Sequence, residues 1–169
     1  MTTLEKTLPL AIQNPITVIF EDDVLLPEDL SERVYAIVTT APKNWDIIYL
    51  GCSENIYADS AGKVSTVSSD RFNFNLCPSN ILEALESPQI KKITSDRCIA
   101  GTWAFILNSR SAQKLLTILR SQKIDRPIDN QLSGLVGSKQ INAYCASPPI
   151  VTPNQQLDLR FVNLSFNSS

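Results

Sequence analysis

Histidine is absent from the 169 residues, and this one absence removes Ser-His-Asp triads, Cys-His dyads, HExxH zinc sites and every imidazole acid or base. Any proton transfer falls to carboxylates, Tyr, Lys or Cys. Cysteine is sparse: Cys52, Cys77, Cys98 and Cys145 lie far apart with no CxxC pair. A zinc knuckle or thioredoxin-type motif is therefore unsupported, and buried free thiols are expected. An excess of one charge is missing too. With 15 basic and 17 acidic residues the net charge is -2, which leaves no electrostatic footprint for nucleic acid and no polybasic membrane patch. No run approaches the roughly 18 apolar residues of a membrane-spanning helix. The first residues, MTTLEKTLPLAIQNP, carry Glu5 and Lys6 where a leader would have a basic segment and a long apolar run. The expectation is a soluble, cytoplasmic protein with no nucleic-acid partner and no transmembrane segment. What is present is 43% hydrophobic residues, enough for one core in a single domain over 1–169.

Periodicity supplies the elements. Leu4, Leu8, Ala11 and Ile12 mark a short helix over 3–13, which Pro9 would weaken or kink. Ile16 to Phe20 (ITVIF) is a β-branched and aromatic run, expected as a strand buried on both faces. Pro27-Glu28-Asp29 opens a helix with the stripe Leu30, Val34, Ile37 and Val38, ending near Ala41-Pro42. Trp45 to Leu50 is a second apolar strand, stopped by Gly51, and completes a strand-helix-strand unit. Residues 52–89 read as an irregular excursion. Ile90 to Thr94 and Cys98 to Leu107 read as strands. Ser111 is expected to cap a helix carrying Ala112, Leu115, Leu116 and Leu119. A short helix over Pro127 to Val136, a strand over Ile141 to Cys145 and a polar tail over 152–169 complete the chain. The strands at 16–20, 45–50 and 98–107 should share one mixed sheet, flanked by the helices near 28–40 and 111–121.

Three constellations could carry chemistry. Glu21, Asp22 and Asp23 follow a hydrophobic strand directly, and such like charges repel unless a cation, a helix N-terminus or a basic residue lies near. Hard oxygen donors at a strand's carboxyl end suit Mg²⁺ or Mn²⁺ holding a diphosphate. A solvated turn is the plainer alternative. Gly101-Thr102-Trp103-Ala104-Phe105 places a glycine and a small hydroxyl beside an aromatic on which a sugar or base could stack, although a tryptophan in a strand is more often core. Pro127-Ile128-Asp129-Asn130 sets a carboxylate and an amide at a helix start, for catalysis or for compensation of the helix dipole.

The ordered set EDDV at 21–24, WDIIYLG at 45–51, GTWAF at 101–105, SAQKLL at 111–116, PIDNQL at 127–132 and AYCASPPIV at 143–151 resembles glycosyltransferase family 25. That family contains lipooligosaccharide and procollagen galactosyltransferases, and the likeness extends over most of residues 4–151. It implies an α/β fold of the GT-A-like (Rossmann-like) kind, a mixed sheet flanked by helices. By the resemblance, Glu21, Asp22 and Asp23 take the role of a DxD motif as metal and nucleotide-sugar ligands, with Mn²⁺ or Mg²⁺ as cofactor. Gly101, Thr102 and Trp103 would line the site with Asn130, and Asp129 would be the acceptor-side carboxylate. Family members carry an INLxRRxxR-type strand and a Gly-Cys-xx-Ser-His motif before the acidic triplet. Here only 20 residues precede Glu21, so the resemblance implies a domain truncated at the N-terminus, with a partner chain or oligomer able to supply the rest. Trp103 stands where the family's third motif has a histidine before the aromatic.

The leading expectation is a metal-dependent glycosyltransferase of lipopolysaccharide biosynthesis type. It would move a sugar, galactose by resemblance, from a UDP-sugar to a glycan or protein hydroxyl acceptor, with Asp129 as base. The alternative is a catalytically incomplete module that binds a glycan or a protein. A two-carboxylate glycoside hydrolase fits less well, because the acids cluster at one strand end instead of facing each other across a groove.

Overall fold

The structure is a computed structural model that describes residues 3–58, 64–66, 89–93, 97–122, 126–147 and 149–154. Its elements are α1 (Thr3–Ile12), β1 (Ile16–Phe20), β2 (Val24–Leu25), α2 (Leu30–Thr40), β3 (Ile47–Ala58), β4 (Val64–Thr66), β5 (Gln89–Lys92), β6 (Arg97–Asn108), α3 (Ser109–Ser121), α4 (Ile128–Gly137), β7 (Ala143–Ser147) and β8 (Thr152–Pro153).

The main sheet has the order β1-β6-β3-β7-β5, with β4 paired to the far end of β3. β3 and β7 are parallel, while β6 runs antiparallel to both β1 and β3. It follows that β1, β3 and β7 point the same way and present their carboxyl ends on one side. The expected sharing of one mixed sheet by 16–20, 45–50 and 98–107 holds, and β1, α2 and β3 form the anticipated strand-helix-strand unit with β6 lying between the two strands. The overall arrangement is a mixed α/β sheet flanked by helices, consistent with a Rossmann-like fold.

Two-residue alternation along the strands divides the apolar side chains between two cores. Ile47, Tyr49, Phe105, Leu107, Ala143 and Cys145 face α1, α3 and α4, where Leu4, Leu8, Leu115, Leu119 and Leu132 meet them. Ile48, Leu50, Ala104, Ile106, Tyr144 and Ala146 face the other way, against Ile37 and the partly buried Leu30, Val34 and Val38 of α2. The helical stripes legible in the sequence are therefore the packed faces. Ile47 to Leu50 are fully buried, as expected of a strand covered on both sides.

β1 departs from that expectation. Among the described residues it is an edge strand, its ends Ile16 and Phe20 are exposed, and only its middle is half-buried. An edge has one neighbour in the ladder and less helix above it, so the same composition is covered less completely. Other boundaries shift for local reasons. α1 runs unbroken through Pro9, its apolar side held by Leu4, Leu8 and Ala11. The cap of α3 is Asn108 and not Ser111: the Asn108 Oδ1 accepts from the Ser111 backbone N–H at 2.8 Å and from its hydroxyl at 2.9 Å. The second strand starts at Ile47, two residues after Trp45, and continues to Ala58, so 52–58 belong to the sheet and not to the irregular excursion. Residues 59–63 and 67–88 of that excursion lie outside the described residues, as does the tail beyond 154. The beginning of the tail is ordered, because Thr152–Pro153 pair with Val24–Leu25. Cys145 is buried as expected.

An ion pair between a buried carboxylate and a half-exposed lysine joins the residue before β3 to α3. Asp46, 3% exposed, accepts from Lys114 Nζ at 2.7 Å and from the Asn142 backbone N–H at 2.8 Å. Arg110 donates to the Trp45 carbonyl at 3.0 Å. The same corner is thus tied electrostatically and through the backbone.

Gly51 makes the tightest approach. The backbone N–H groups of Ile150 and Val151 both donate to the Leu50 carbonyl, at 2.8 and 3.1 Å, which lays the chain across Gly51. A Cβ at this position would collide with the Val151 carbonyl and press on the Trp103 ring at 3.4 Å. Gly51→Ala is expected to destabilise the fold by about 1–3 kcal/mol through overpacking against backbone. Urea denaturation would check this, and a midpoint equal to that of the wild type would show that the crossing segment yields freely.

Candidate functional site

β6 delivers one wall of the site. Its register with β3 slips between Gly51↔Ala104 and Ser53↔Ala100, so Gly101, Thr102 and Trp103 occupy an irregular stretch carrying more residues than the strand opposite. Bulges of this kind re-aim side chains and are frequent beside active sites. On the other flank, β1 pairs with β6 up to Phe20↔Ala104, and the Glu21 N–H donates to the Trp103 carbonyl at 2.9 Å. The acidic triplet is thereby set against Gly101 to Trp103, at the carboxyl end of β1. Open α/β sheets bind ligands at such ends.

The side chains have distinct surroundings. Thr102 is buried, and its side chain hydrogen-bonds the Glu21 carboxylate. Trp103 is half-buried over Gly51. Asp22 is exposed and Asp23 half-buried, with the Oδ1 of Asp23 enclosed and without a hydrogen-bond partner among the described residues. The Asp23 carbonyl accepts from the Asn154 N–H at 2.7 Å, so the β2–β8 ribbon holds the acidic loop from behind. Asp129, in the first turn of α4, accepts from the Asn130 N–H at 2.7 Å.

Charge ties these groups together. Although Glu21 is exposed as a residue, burial of its carboxyl is the largest cause raising its pKa above the ordinary value. The negative charges of Asp23, Asp129 and Asp22 add to it, and the Thr102 hydrogen bond partly offsets them. Asp129 is far from the triplet in sequence, yet close enough to repel Glu21. The fold therefore brings Glu21, Asp22, Asp23, Asp129, Thr102 and Trp103 into one electrostatic neighbourhood.

Among the described residues, no three His, Cys, Asp or Glu side chains form a group that could hold a metal ion. The triplet is accordingly not a three-carboxylate cage. Carboxylate oxygens are nonetheless the hard donors that a divalent cation takes, and the Oδ1 of Asp23 is enclosed with no hydrogen-bond partner among the described residues. Such an ion would take its remaining ligands from outside the protein.

Gly51 and Val151 stand in the WDIIYLG and AYCASPPIV motifs of the resemblance, but neither is expected there as a site residue, and Asn154 carries no sequence signal. The contacts of 150–154 at this place are made by backbone groups.

The fold defines an α/β protein with an acidic cluster at the carboxyl end of β1. The chain belongs to glycosyltransferase family 25: the family model, described as "Glycosyltransferase family 25 (LPS biosynthesis protein)", matches residues 10–132, which include β1, the acidic loop, β6 and the first half of α4. Comparison with curated proteins gave no match. Among the described residues, no helix is long and apolar enough to cross a membrane.

The raised pKa of Glu21 has a definite sign. A carboxyl whose folded-state pKa lies above its unfolded value contributes stability that is fully present below the unfolded pKa and is lost as pH rises through the folded pKa. Glu21→Gln keeps an acceptor for Thr102 and removes the charge. The variant should melt with the wild type near about pH 3 and above it near about pH 7. Calorimetric scans over that range decide the point, and a melting difference that does not change with pH would remove the carboxylate coupling.

Proposed function

We propose that this family member is a GT-A-type, metal-dependent glycosyltransferase that moves a hexosyl group, galactose by family resemblance, from a UDP-sugar to a hydroxyl of a glycan or protein acceptor. The observation that carries this reading is the family match over residues 10–132 together with the backbone hydrogen bond that seats Glu21 against Trp103 at 2.9 Å; Asp22, Asp23 and Asp129 lie near enough to add to the rise in the Glu21 pKa that partial burial begins. This joins an anion-rich loop to a separate carboxylate on another element. A transfer reaction needs both parts.

Asp22 and Asp23 are the residues that would hold Mn²⁺ or Mg²⁺, with the partnerless Oδ1 of Asp23 as one donor. When bound, the cation supplies charge neutralisation of the leaving diphosphate. Glu21 borders this position and is fixed by Thr102. Trp103, half-buried over Gly51, offers an aromatic edge to a sugar ring or base. Asp129 accepts the proton of the acceptor hydroxyl. The acceptor oxygen then bonds to the anomeric carbon as the bond to the diphosphate oxygen breaks. UDP departs with that electron pair, and a single displacement of this kind inverts the anomeric configuration. Asp129 suits the task because it is partly exposed in the first turn of α4.

Isothermal titration with UDP should show saturable binding that requires Mn²⁺ and is lost in Asp23→Ala. Binding independent of the metal, or none at all, would contradict the assignment. Asp129→Asn retains size and hydrogen bonding but not basicity. Donor binding should survive this change, while transfer to an acceptor that the wild type glycosylates falls by about two to four orders of magnitude. Undiminished turnover in that variant would move the base elsewhere.

A further inference from the structure

The transferase reading leaves open what the acceptor presents. One feature outside the acidic site bears on this: a cleft of about 210 Å³ beside α4, lined by Gln122, Arg126, Asn130, Gln131, Leu135 and Gln140. A single water requires roughly 10–15 Å³ of such space, so a ligand of about a dozen heavy atoms fits, the size of one sugar ring. Four of the lining side chains are carboxamides. Each offers a donor pair and an acceptor, the complement that vicinal hydroxyls require. Leu135 is buried and supplies an apolar floor for a ring face. Two of the amides are already oriented by the protein: Gln131 Nε2 donates to the Arg126 carbonyl at 2.9 Å and Gln140 Nε2 to the Ser138 hydroxyl at 2.9 Å. Their oxygens are thereby fixed in direction before any ligand arrives.

The charge of the cleft is opposite to that of the neighbouring site. Arg126 is the one ionic group among the residues that line it, and none of them is acidic. A guanidinium carries five N–H donors in a planar fork that matches a carboxylate, so a contact within the protein and a ligand carboxylate are compatible. The cleft also adjoins the proposed base. Asn130 lines it, and the backbone N–H of the same residue donates to the Asp129 carboxylate. A sugar seated here would lie against the residue next to Asp129, and none of the acidic-loop residues lines the cleft.

We propose that this cleft is an acceptor subsite for a uronic-acid-type sugar, with Arg126 reading the carboxylate and the carboxamides reading ring hydroxyls. As an acceptor subsite it rests on the transferase reading; as a sugar site it does not. The test is an NMR titration of the isotopically labelled full chain with methyl α-glucuronide and, as its neutral twin, methyl α-glucoside. UDP binding in Mn²⁺ is measured on the same preparation. The glucuronide should shift the amides of Gln131, Gly134, Leu135 and Gln140 saturably and bind about tenfold tighter than the glucoside, the ratio expected for a charged hydrogen bond. Arg126→Gln should abolish that preference, whereas Gln122→Ala should weaken both glycosides alike. Equal binding of the two glycosides, or shifts confined to other surfaces, would overturn the proposal. Cleft shifts without UDP binding would keep the sugar site and sink the transferase reading. UDP binding without cleft shifts would sink the subsite alone.

Discussion

The position of β6 between β1 and β3 is the constraint from which the rest of the molecule follows. Its ladder with β3 closes the centre of the sheet, and its ladder with β1 continues past the end of that strand into the Glu21 to Trp103 hydrogen bond. The strand that completes both cores also aims the acidic loop. A displacement of β6 by one residue would exchange Phe105 and Ile106 between the two cores and turn Thr102 away from Glu21. Packing and site geometry are therefore set by one register.

Electrostatics then separates two uses of buried charge. Asp46 is stabilised by a cation and a backbone donor, so its charge is balanced inside the fold. The pKa of Glu21, an exposed residue, is raised by partial burial of its carboxyl and by the like charges of Asp23, Asp129 and Asp22, with the Thr102 hydrogen bond in opposition. The first arrangement is structural. The second is a perturbed carboxyl among like charges, a pattern that clusters at functional sites.

Much of the fold was legible in the sequence because the signals were local. The 3.6-residue stripes of α2 and α3 and the apolar run before Gly51 each reported their own burial. What escaped depended on partners distant in sequence. ITVIF has the composition of a central strand, and nothing in it announces that β1 has a neighbour on one side only. The Asp46 to Lys114 pair and the laying of 150–151 across Gly51 join segments whose sequences show no mutual pattern. The site was legible in parts: the triplet stood out as a run of acids, while the approach of Asp129 to Glu21 is a product of the fold and was anticipated through family resemblance alone. The α3 cap was misplaced because Asn108 and Ser111 are both good capping residues, and only the geometry of their hydrogen bond tells donor from acceptor.

The short β2–β8 ribbon gives the acidic loop a particular mechanical character. With β1 gripping it from one side and Asn154 holding the Asp23 carbonyl from the other, the loop is anchored at both ends. These contacts fix the backbone of the loop and leave its side chains to turn about their own bonds. A loop without such anchors would have to be ordered when a partner binds, at a cost in conformational entropy. Here the main-chain part of that ordering is completed during folding, so a partner that reaches the loop would meet a backbone already in place, and its binding would add to the stability of the folded protein through thermodynamic linkage.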